Sequence, residues 1–171
     1  METKNLRPCD ILLYKGTDWL SRLIEWKTES LYSHVAIVVE PEMNLAIESN
    51  TGSQSGVRAL DLKQLDEKTL DVFRVKSQFS FDLDKVIAYL VGHLGAGYDY
   101  LGVAWLGVLK VFGARNHSNK WQKDRDYFCS ELCYKAFFAA GLDIVPQVGE
   151  ADITSPGDIS KSSLIEAVNF G

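Results

Sequence analysis

The segment His34–Val39 has the sequence HVAIVV, in which every residue after the histidine is apolar. A run of apolar, mostly β-branched residues without polar alternation predicts a strand that is buried on both faces, at the centre of a sheet. Pro41 ends this strand, and Leu45–Ser49 (LAIES) is its expected partner in a hairpin. The turn-forming segment Asn50–Gly56 then leads into the next predicted strand.

Further predicted strands are Ile11–Tyr14, Val57–Asp61 and Asp71–Val75. The spacing of apolar residues predicts helices mainly in the second half of the chain. Their expected ranges are Thr17 or Asp18 to about Trp26, Asp82 or Asp84 to near Gly95, Tyr100 to about Phe112, and Cys129–Ala140. A polar, basic loop is expected over residues 114–125, and the tail around Pro156–Asp158 is expected to be a loop followed by a short terminal helix. Strands early and helices late predict the α+β class, with a small antiparallel sheet packed against helices.

The composition is that of a single globular domain over residues 1–171, with 46% hydrophobic and 24% charged residues. A net charge of -5 excludes the broad positive surface of a protein that binds nucleic acid or anionic membranes. The longest apolar stretch, Leu101–Gly113, contains Lys110 and is shorter than the roughly 20 residues of a membrane span. The first residues lack the features of a secretory signal. We therefore expect a cytoplasmic protein with reduced thiols, no stable membrane insertion and no nucleic-acid partner.

Cys129 follows two aromatic residues and opens the predicted helix in YFCSELCYKAFFAAG, residues 127–141. Free N–H groups and the helix dipole favour a thiolate at a helix N-terminus, and cysteines so placed have pKa values of about 3.5–7.5. With a histidine nearby, such a thiol is an activated nucleophile. The alternative is a small apolar residue that fills the core where the helix begins. Cys133, one turn later, lies on the apolar face of the helix and is expected to be structural.

His34 begins an otherwise apolar strand, so its ring nitrogens need hydrogen-bonding partners. Glu48 ends the next predicted strand, where its carboxylate can orient the imidazole if the two strands are antiparallel neighbours. The alternatives are a core histidine with other partners and a carboxylate exposed at a strand end. His93 and His117 are isolated from His34 and from each other, and no two ligand pairs have zinc-like spacing. We therefore expect no metal and no organic cofactor.

A glycine-rich joint, GAGYDYLG over residues 95–102, contains Tyr98 and Asp99. Asp99 can be the N-cap of the helix that follows, which explains its presence without a function. The glycines also allow close backbone approach, which suits the wall of a site.

Six segments of the chain together are similar to one enzyme family. In chain order they are LRPCDILLY (Leu6–Tyr14), TESLYSHVAIVV (Thr28–Val39), AIES (Ala46–Ser49), GYDYLG (Gly97–Gly102), YFCSEL (Tyr127–Leu132) and SPGDI (Ser155–Ile159). In this order the sequence resembles the circularly permuted NlpC/P60 cysteine hydrolases, and within them the YiiX/YebB-like branch. The likeness covers nearly the whole chain, and S-H-V followed about a hundred residues later by F-C-S-E-L is its most specific feature.

The resemblance implies a papain-like fold in which the base and the third residue precede the nucleophile in the chain. It makes Cys129 the nucleophile, His34 the base and Glu48 the residue that orients the base. It also implies a small-molecule, peptide or lipid-like substrate. The sequence does not distinguish between cell-wall peptides, γ-linked peptides and lipid acyl groups. Tyr98 is the first candidate for contact with the substrate, and Tyr32 and Asp99 are the others. The expected activity is cleavage of an amide or ester bond through a covalent acyl-enzyme.

The sequence departs from the family at one turn. The turn that usually has the sequence P-G-D is Pro8-Cys9-Asp10 here. The resemblance therefore does not predict the conformation of this turn, but the turn lies away from the catalytic positions. Two other classes of function also remain open: a non-catalytic module that holds a small amine, amino acid or lipid in the same cleft, and a structural domain in which Cys129 is only packed. The presence of Cys129, His34 and Glu48 together argues against both, because a decayed site usually loses one member.

Overall fold

The computed structural model of the protein describes residues 5–15, 30–50, 55–97, 128–148 and 154–168. The helices predicted over residues 17–26 and 100–112 and the loop predicted over residues 114–125 lie outside these ranges. The described residues form an α+β fold with one antiparallel sheet and a few helices.

Six strands of the described ranges form this sheet, and every neighbouring pair is antiparallel. In chain order they are β1 (Ile11–Lys15), β2 (Tyr32–Glu40), β3 (Leu45–Asn50), β4 (Gly56–Asp61), β5 (Leu70–Val75) and β6 (Ile165–Ala167). Their order across the sheet is β4-β3-β2-β1-β5-β6. The central place of β2 and its hairpin with β3 confirm the predictions made from the run His34–Val39.

Strand β2 is buried on both faces because apolar residues cover each side of the sheet. Val35, Ile37 and Val39 belong to the larger of two hydrophobic clusters, which also contains the buried faces of the helices. Ala36 and Val38 alternate with them and belong to a smaller cluster on the opposite face. A strand with apolar side chains on both faces is stable only between two such clusters, which explains why HVAIVV lies in the middle of the sheet.

Three α-helices lie within the described ranges: α1 (Leu83–Gly92), α2 (Cys129–Ala139) and α3 (Pro156–Ser160). Two single-turn 3-10 helices, Leu62–Gln64 and Glu67–Thr69, lie between β4 and β5. Asp82 is the N-cap of α1, since its side chain accepts a hydrogen bond from the Lys85 backbone N–H. Gly141 follows α2 with a φ of 89°, the left-handed conformation in which glycine commonly ends helices. Helix α2 packs against α1 and against β2 and β3. None of these helices is long and apolar enough to cross a membrane.

The prediction for the tail was wrong. A helix begins at Pro156, where a loop was expected, because Ser155 and Asp158 form a reciprocal capping box around a proline in the first turn. The residues after this helix form the short strand β6, which pairs with β5 at the edge of the sheet. Backbone pairing with an open sheet edge determines this conformation, and the local sequence does not reveal it.

The turn at Pro8-Cys9-Asp10 has a cysteine where the family that the sequence resembles usually has a glycine. The Asp10 backbone N–H donates to the Arg7 carbonyl oxygen at 3.1 Å, and Cys9 has a φ of 67°. Proline followed by a residue with positive φ is the pattern of a type II turn, in which glycine is favoured at the second position. Cys9 therefore occupies a left-handed conformation that a side chain adopts at a cost of roughly 1 kcal/mol.

We expect Cys9→Gly to be more stable than Cys9→Ala by about 1 kcal/mol, because both variants lose the sulfur but only glycine adopts this φ without strain. Urea unfolding of both variants under reducing conditions measures the difference. The matched control is Ala88→Gly on the exposed face of α1, where alanine should be the more stable residue by a similar amount. If Cys9→Ala were more stable than Cys9→Gly, as expected for alanine over glycine at position 88, the turn would not be strained.

Candidate active site

Cys129 is the first residue of helix α2, as the sequence predicted. Its N-cap, Phe128, is extended and makes no side-chain capping bond, so no N-cap side chain occupies the first N–H groups of the helix. The next residue, Ser130, is buried and donates from its hydroxyl to the Thr154 carbonyl oxygen at 2.7 Å. Glu131, also buried, forms an ion pair with Lys135 at 2.6 Å. These contacts fix the first turn of α2 and with it the position of the thiol.

His34 and Glu48 are brought together by the pairing of β2 with β3. Ala36 is the register partner of Glu48, and His34 lies two residues from Ala36 on the same face of the strand. The imidazole Nε2 and the Glu48 Oε2 are 2.7 Å apart. The Glu48 side chain is only 3% exposed, whereas that of His34 is 21% exposed. The carboxylate therefore meets the imidazole from the protein side, and the imidazole keeps one accessible edge.

The Cys129 thiol is the second partner of His34. Burial lowers the pKa of His34, but the charge of Cys129 and a hydrogen bond with its thiol, followed by the hydrogen bond and charge of Glu48, raise it well above its ordinary value. Because Glu48 occupies Nε2, Nδ1 is the ring nitrogen left for the thiol. A raised pKa means that His34 holds its proton at neutral pH.

Glu48 has further partners that hold it in an ionised state. Its Oε1 accepts hydrogen bonds from Arg58 Nε at 2.9 Å, from Arg58 Nη2 at 2.7 Å and from Asn50 Nδ2 at 3.0 Å. Burial raises the pKa of this carboxyl, but the hydrogen bond and charge of His34, with the hydrogen bonds of Asn50 and Arg58, lower it to about 2. Glu48 is thus a negative charge throughout the physiological range.

Tyr14 packs against the imidazole from strand β1. It is the register partner of His34, and the two ring centroids are 5.3 Å apart with the planes tilted by 56°. The hydroxyl of Tyr14 is buried and has no hydrogen-bonding partner among the described residues. Burial and then the negative charge of Glu48 raise its pKa, so the phenol stays neutral. Tyr14 therefore restricts the orientation of the imidazole through ring packing.

Tyr32 lies near the site, although a β-bulge separates it from the register of His34. The register between β1 and β2 shifts after the pair Tyr14–His34, so that Tyr32 is opposite Lys15. The Tyr32 hydroxyl donates to Asp71 Oδ2 at 2.6 Å, and Lys15 forms an ion pair with the same carboxylate at 2.9 Å. Its role in binding substrate stays a prediction. Tyr98 and Asp99, the other predicted binding residues, lie outside the described ranges.

Cys9 and Cys133 differ from Cys129 in their polar contacts. All three thiols lie in the larger hydrophobic cluster, but only Cys129 also contacts the His34 imidazole. Burial, followed by the charges of Asp10 and Asp84, raises the pKa of Cys9 to about 12. Burial also raises the pKa of Cys133, with smaller contributions from the other two cysteines. These two thiols are therefore neutral core residues, as was predicted for Cys133.

Arg58, Asn50 and Tyr14 were not among the residues selected from the sequence. Arg58 was detectable, because a hairpin centred on residue 53 places position 58 opposite position 48. A carboxylate on a strand with an arginine directly opposite is a favourable cross-strand pair. Asn50 shares the face of Glu48 because it lies two residues further along β3. No comparable signal identifies Tyr14, since its position beside His34 depends on the pairing of β1 with β2.

Comparisons with known proteins identify the fold. No protein-family model matches the chain, and no curated protein matches it. The crystal structure of the metalloprotein YiiX from Escherichia coli O157:H7 is similar, with a TM-score of 0.68 and 19% sequence identity. The likeness covers 95% of this chain and 96% of that one. The chain has the YiiX fold. This agrees with the α+β class and with the branch that the sequence resembles.

Proposed function

We propose that this protein is a cysteine hydrolase of the papain-like, circularly permuted NlpC/P60 type, which cleaves an amide or ester bond through a covalent acyl-enzyme. The observation that carries the proposal is the contact of the His34 imidazole with two groups: the thiol at the start of helix α2 and the buried carboxylate of Glu48. Nucleophile, base and orienting residue within contact of one another form the arrangement that covalent catalysis by a thiol requires.

The order of these residues in the chain supports the permuted architecture. His34 and Glu48 lie on neighbouring strands in the first third of the chain, and Cys129 opens a helix about a hundred residues later. That helix packs on the strands that carry the base and its carboxylate. A papain-like site with the nucleophile last needs this arrangement of one helix against one sheet.

Acylation begins with the transfer of a proton from the Cys129 thiol to His34. The thiolate attacks the carbonyl carbon of the substrate to form a carbon–sulfur bond. The negative charge that develops on the carbonyl oxygen is stabilised by N–H groups at the start of α2, of which the Cys129 N–H is one. The bond to the leaving nitrogen or oxygen then breaks, and His34 gives its proton to the leaving group.

Hydrolysis of the thioester reverses these roles. His34, now neutral, takes a proton from water, and the resulting hydroxide attacks the thioester carbonyl carbon. The carbon–sulfur bond breaks, the acid product leaves, and the thiolate and imidazolium are restored. Glu48 stays ionised throughout and stabilises each imidazolium through its bond to Nε2.

YiiX is described as a metalloprotein, so the fit of a metal to these residues is relevant. Within the described ranges, no group of three histidine, cysteine, aspartate or glutamate side chains converges on one point. The imidazole of His34 lies between Cys129 and Glu48 and contacts both, so these three residues do not surround a common centre. The described site does not fit a metal ion, and no step proposed above involves one.

The reactivity of the three cysteines tests the proposal. At pH 6–7 we expect iodoacetamide to label Cys129 at least tenfold faster than Cys9 or Cys133, because only Cys129 adjoins an imidazolium and a helix N-terminus. Peptide mass spectrometry after timed labelling measures each rate. In His34→Ala the rapid labelling of Cys129, which is the fast phase of the reaction, should disappear.

His93→Ala is the matched control for the histidine substitution, since the His93 ring packs on Tyr89 of α1 and contacts that residue's carbonyl oxygen. It should leave the fast phase in place. Equal labelling of all three cysteines, rising together near pH 8.5, would exclude Cys129 as the nucleophile.

A further inference from the structure

The two oxygens of the Glu48 carboxylate are divided between two tasks. Oε2 meets the His34 imidazole at 2.7 Å, and Oε1 receives both nitrogens of Arg58 and the amide of Asn50. An arginine usually forms two parallel hydrogen bonds, one to each oxygen of a carboxylate. Here the guanidinium uses one oxygen only, which leaves the other free for the histidine.

Arg74 and Asp10 provide a comparison within the same sheet. Arg74 Nε donates to Asp10 Oδ1 and Arg74 Nη2 donates to Asp10 Oδ2, both at 2.7 Å, in the usual paired geometry. Both carboxylates are buried, with 1% exposure of the Asp10 side chain and 3% of Glu48. Both arginines are partly exposed, at 22% for Arg74 and 30% for Arg58. Asp10 Oδ2 also accepts from the Arg7 backbone N–H at 2.8 Å, but Arg74 contacts both oxygens of its carboxylate. Of the two arginines, only Arg58 leaves one carboxylate oxygen without an arginine contact.

We propose that Arg58 is a positioning residue of the active site, which holds Glu48 by one oxygen and weakens the electrostatic attraction of Glu48 for the imidazolium. Its role rests on the proposed function of His34 as the base. Three donors on Oε1 hold the carboxylate in one rotamer with Oε2 directed at Nε2. The positive charge on the far side of the carboxylate weakens the hold of Glu48 on the His34 proton.

This second effect matters because His34 must release its proton in each cycle. An unscreened buried carboxylate would stabilise the imidazolium so strongly that it would be a poor acid toward the leaving group. Arg58 lies directly opposite Glu48 on strand β4, so its charge acts through that carboxylate. The network thus runs from Arg58 through Glu48 and His34 to Cys129, across β4, β3, β2 and α2.

Among the described residues, three side chains face His34 from the elements packed against it. They are Cys129 from α2, Glu48 from β3 and the neutral phenol of Tyr14 from β1. Cys129→Ser removes the thiol, which leaves Glu48, with Arg58 behind it, as the charged pair that controls the titration of His34. A measurement in this background is therefore independent of whether the protein is a hydrolase.

The experiment is an NMR titration of the His34 imidazole nitrogens in Cys129→Ser. The chain has three histidines, so the His34 signals are assigned by their loss in His34→Gln. Adding Arg58→Gln should raise the titration midpoint by about one pH unit, because the charge opposing Glu48 is gone. Adding Arg58→Lys should keep the midpoint within a few tenths of a unit, since lysine restores the charge. Arg74→Gln, the matched control, should leave it unchanged.

Urea unfolding shows whether each variant is folded. If Arg58→Gln does not fold, the test uses Arg58→Lys instead. A His34 titration midpoint in Arg58→Lys that equals the parent value then supports the proposal, and a shift of one pH unit overturns it. A midpoint that is unmoved or lowered in folded Arg58→Gln overturns it, as does an equal shift in Arg74→Gln. Failure of the hydrolase proposal would appear elsewhere, as slow labelling of Cys129 in the parent protein.

Discussion

Cys129→Ala is expected to abolish covalent capture and to lower turnover of any substrate by about 10,000-fold or more, while the protein stays folded. The thioester cannot form without the sulfur, and the remaining groups only bind and polarise the substrate. Loss of one sulfur beside a helix start leaves a small cavity that costs on the order of 1 kcal/mol. A panel of peptide and γ-glutamyl p-nitroanilides and acyl p-nitrophenyl esters, with a fluorescent iodoacetamide in parallel, measures both effects.

Cys133→Ala is the matched control, since Cys133 lies one turn along the same helix and is also buried. It should retain capture and turnover. A binding module gives a different pattern, because a thiol contributes little to holding a ligand and Cys129→Ala would then keep the function. Folded parent protein that captures no reagent and cleaves no member of the panel would favour that alternative over the hydrolase.

Glu48→Gln is expected to lower the free energy of unfolding at pH 7 by on the order of 3 kcal/mol. The pKa of Glu48 falls from 4.5 to about 2 on folding. A depressed pKa contributes stability that is complete above the unfolded value and is lost as the pH falls through the folded one. The difference between parent and variant should therefore shrink below pH 4.5 and vanish near pH 2.

Urea unfolding at pH 7, 4.5 and 2.5 measures this convergence. Glu42→Gln is the control, because Glu42 is an exposed carboxylate in the turn after β2 and its substitution should change little at any pH. A constant difference between Glu48→Gln and the parent from pH 7 to 2.5 would mean that packing, and not the charge of Glu48, stabilises this part of the sheet.

Much of the fold was predictable from local patterns. The apolar runs at β1 to β5 give strands close to their expected bounds, because period and β-branching report burial on a sheet directly. Capping residues predicted the start of α1 at Asp82 or Asp84 in the same way, and Asp82 is the N-cap. The prediction for the tail was wrong at two places. The five residues of α3 form a helix that begins with a capping box, where a loop was expected. Strand β6 pairs with an edge strand more than eighty residues away, which the local sequence does not reveal.

The candidate site was also predictable only in part. Residue chemistry made Cys129 and His34 candidates, since a thiol at a helix start and an imidazole in an apolar strand each require a special partner. Position alone favoured an exposed strand-end charge for Glu48, and the resemblance to the cysteine hydrolases assigned the roles of all three residues. Their distances, and the positioning of Glu48 by Arg58 and Asn50, could not be obtained without the register of three strands. Register follows from the whole set of pairings in a sheet, and each residue contributes little to it alone.

By itself, the sequence determined which segments become β1 to β5, α1 and α2, which thiol begins a helix, and which residue types are available for covalent catalysis. Those properties depend on side chains close together in the chain, where sterics, capping and apolar spacing act locally. The tertiary structure alone decided that Glu48 shares its oxygens between His34 and Arg58, that Tyr14 packs on the imidazole, and that Cys9 adopts a glycine-like turn. The side-chain contacts join different strands, and burial makes them strong by excluding water from around the charges.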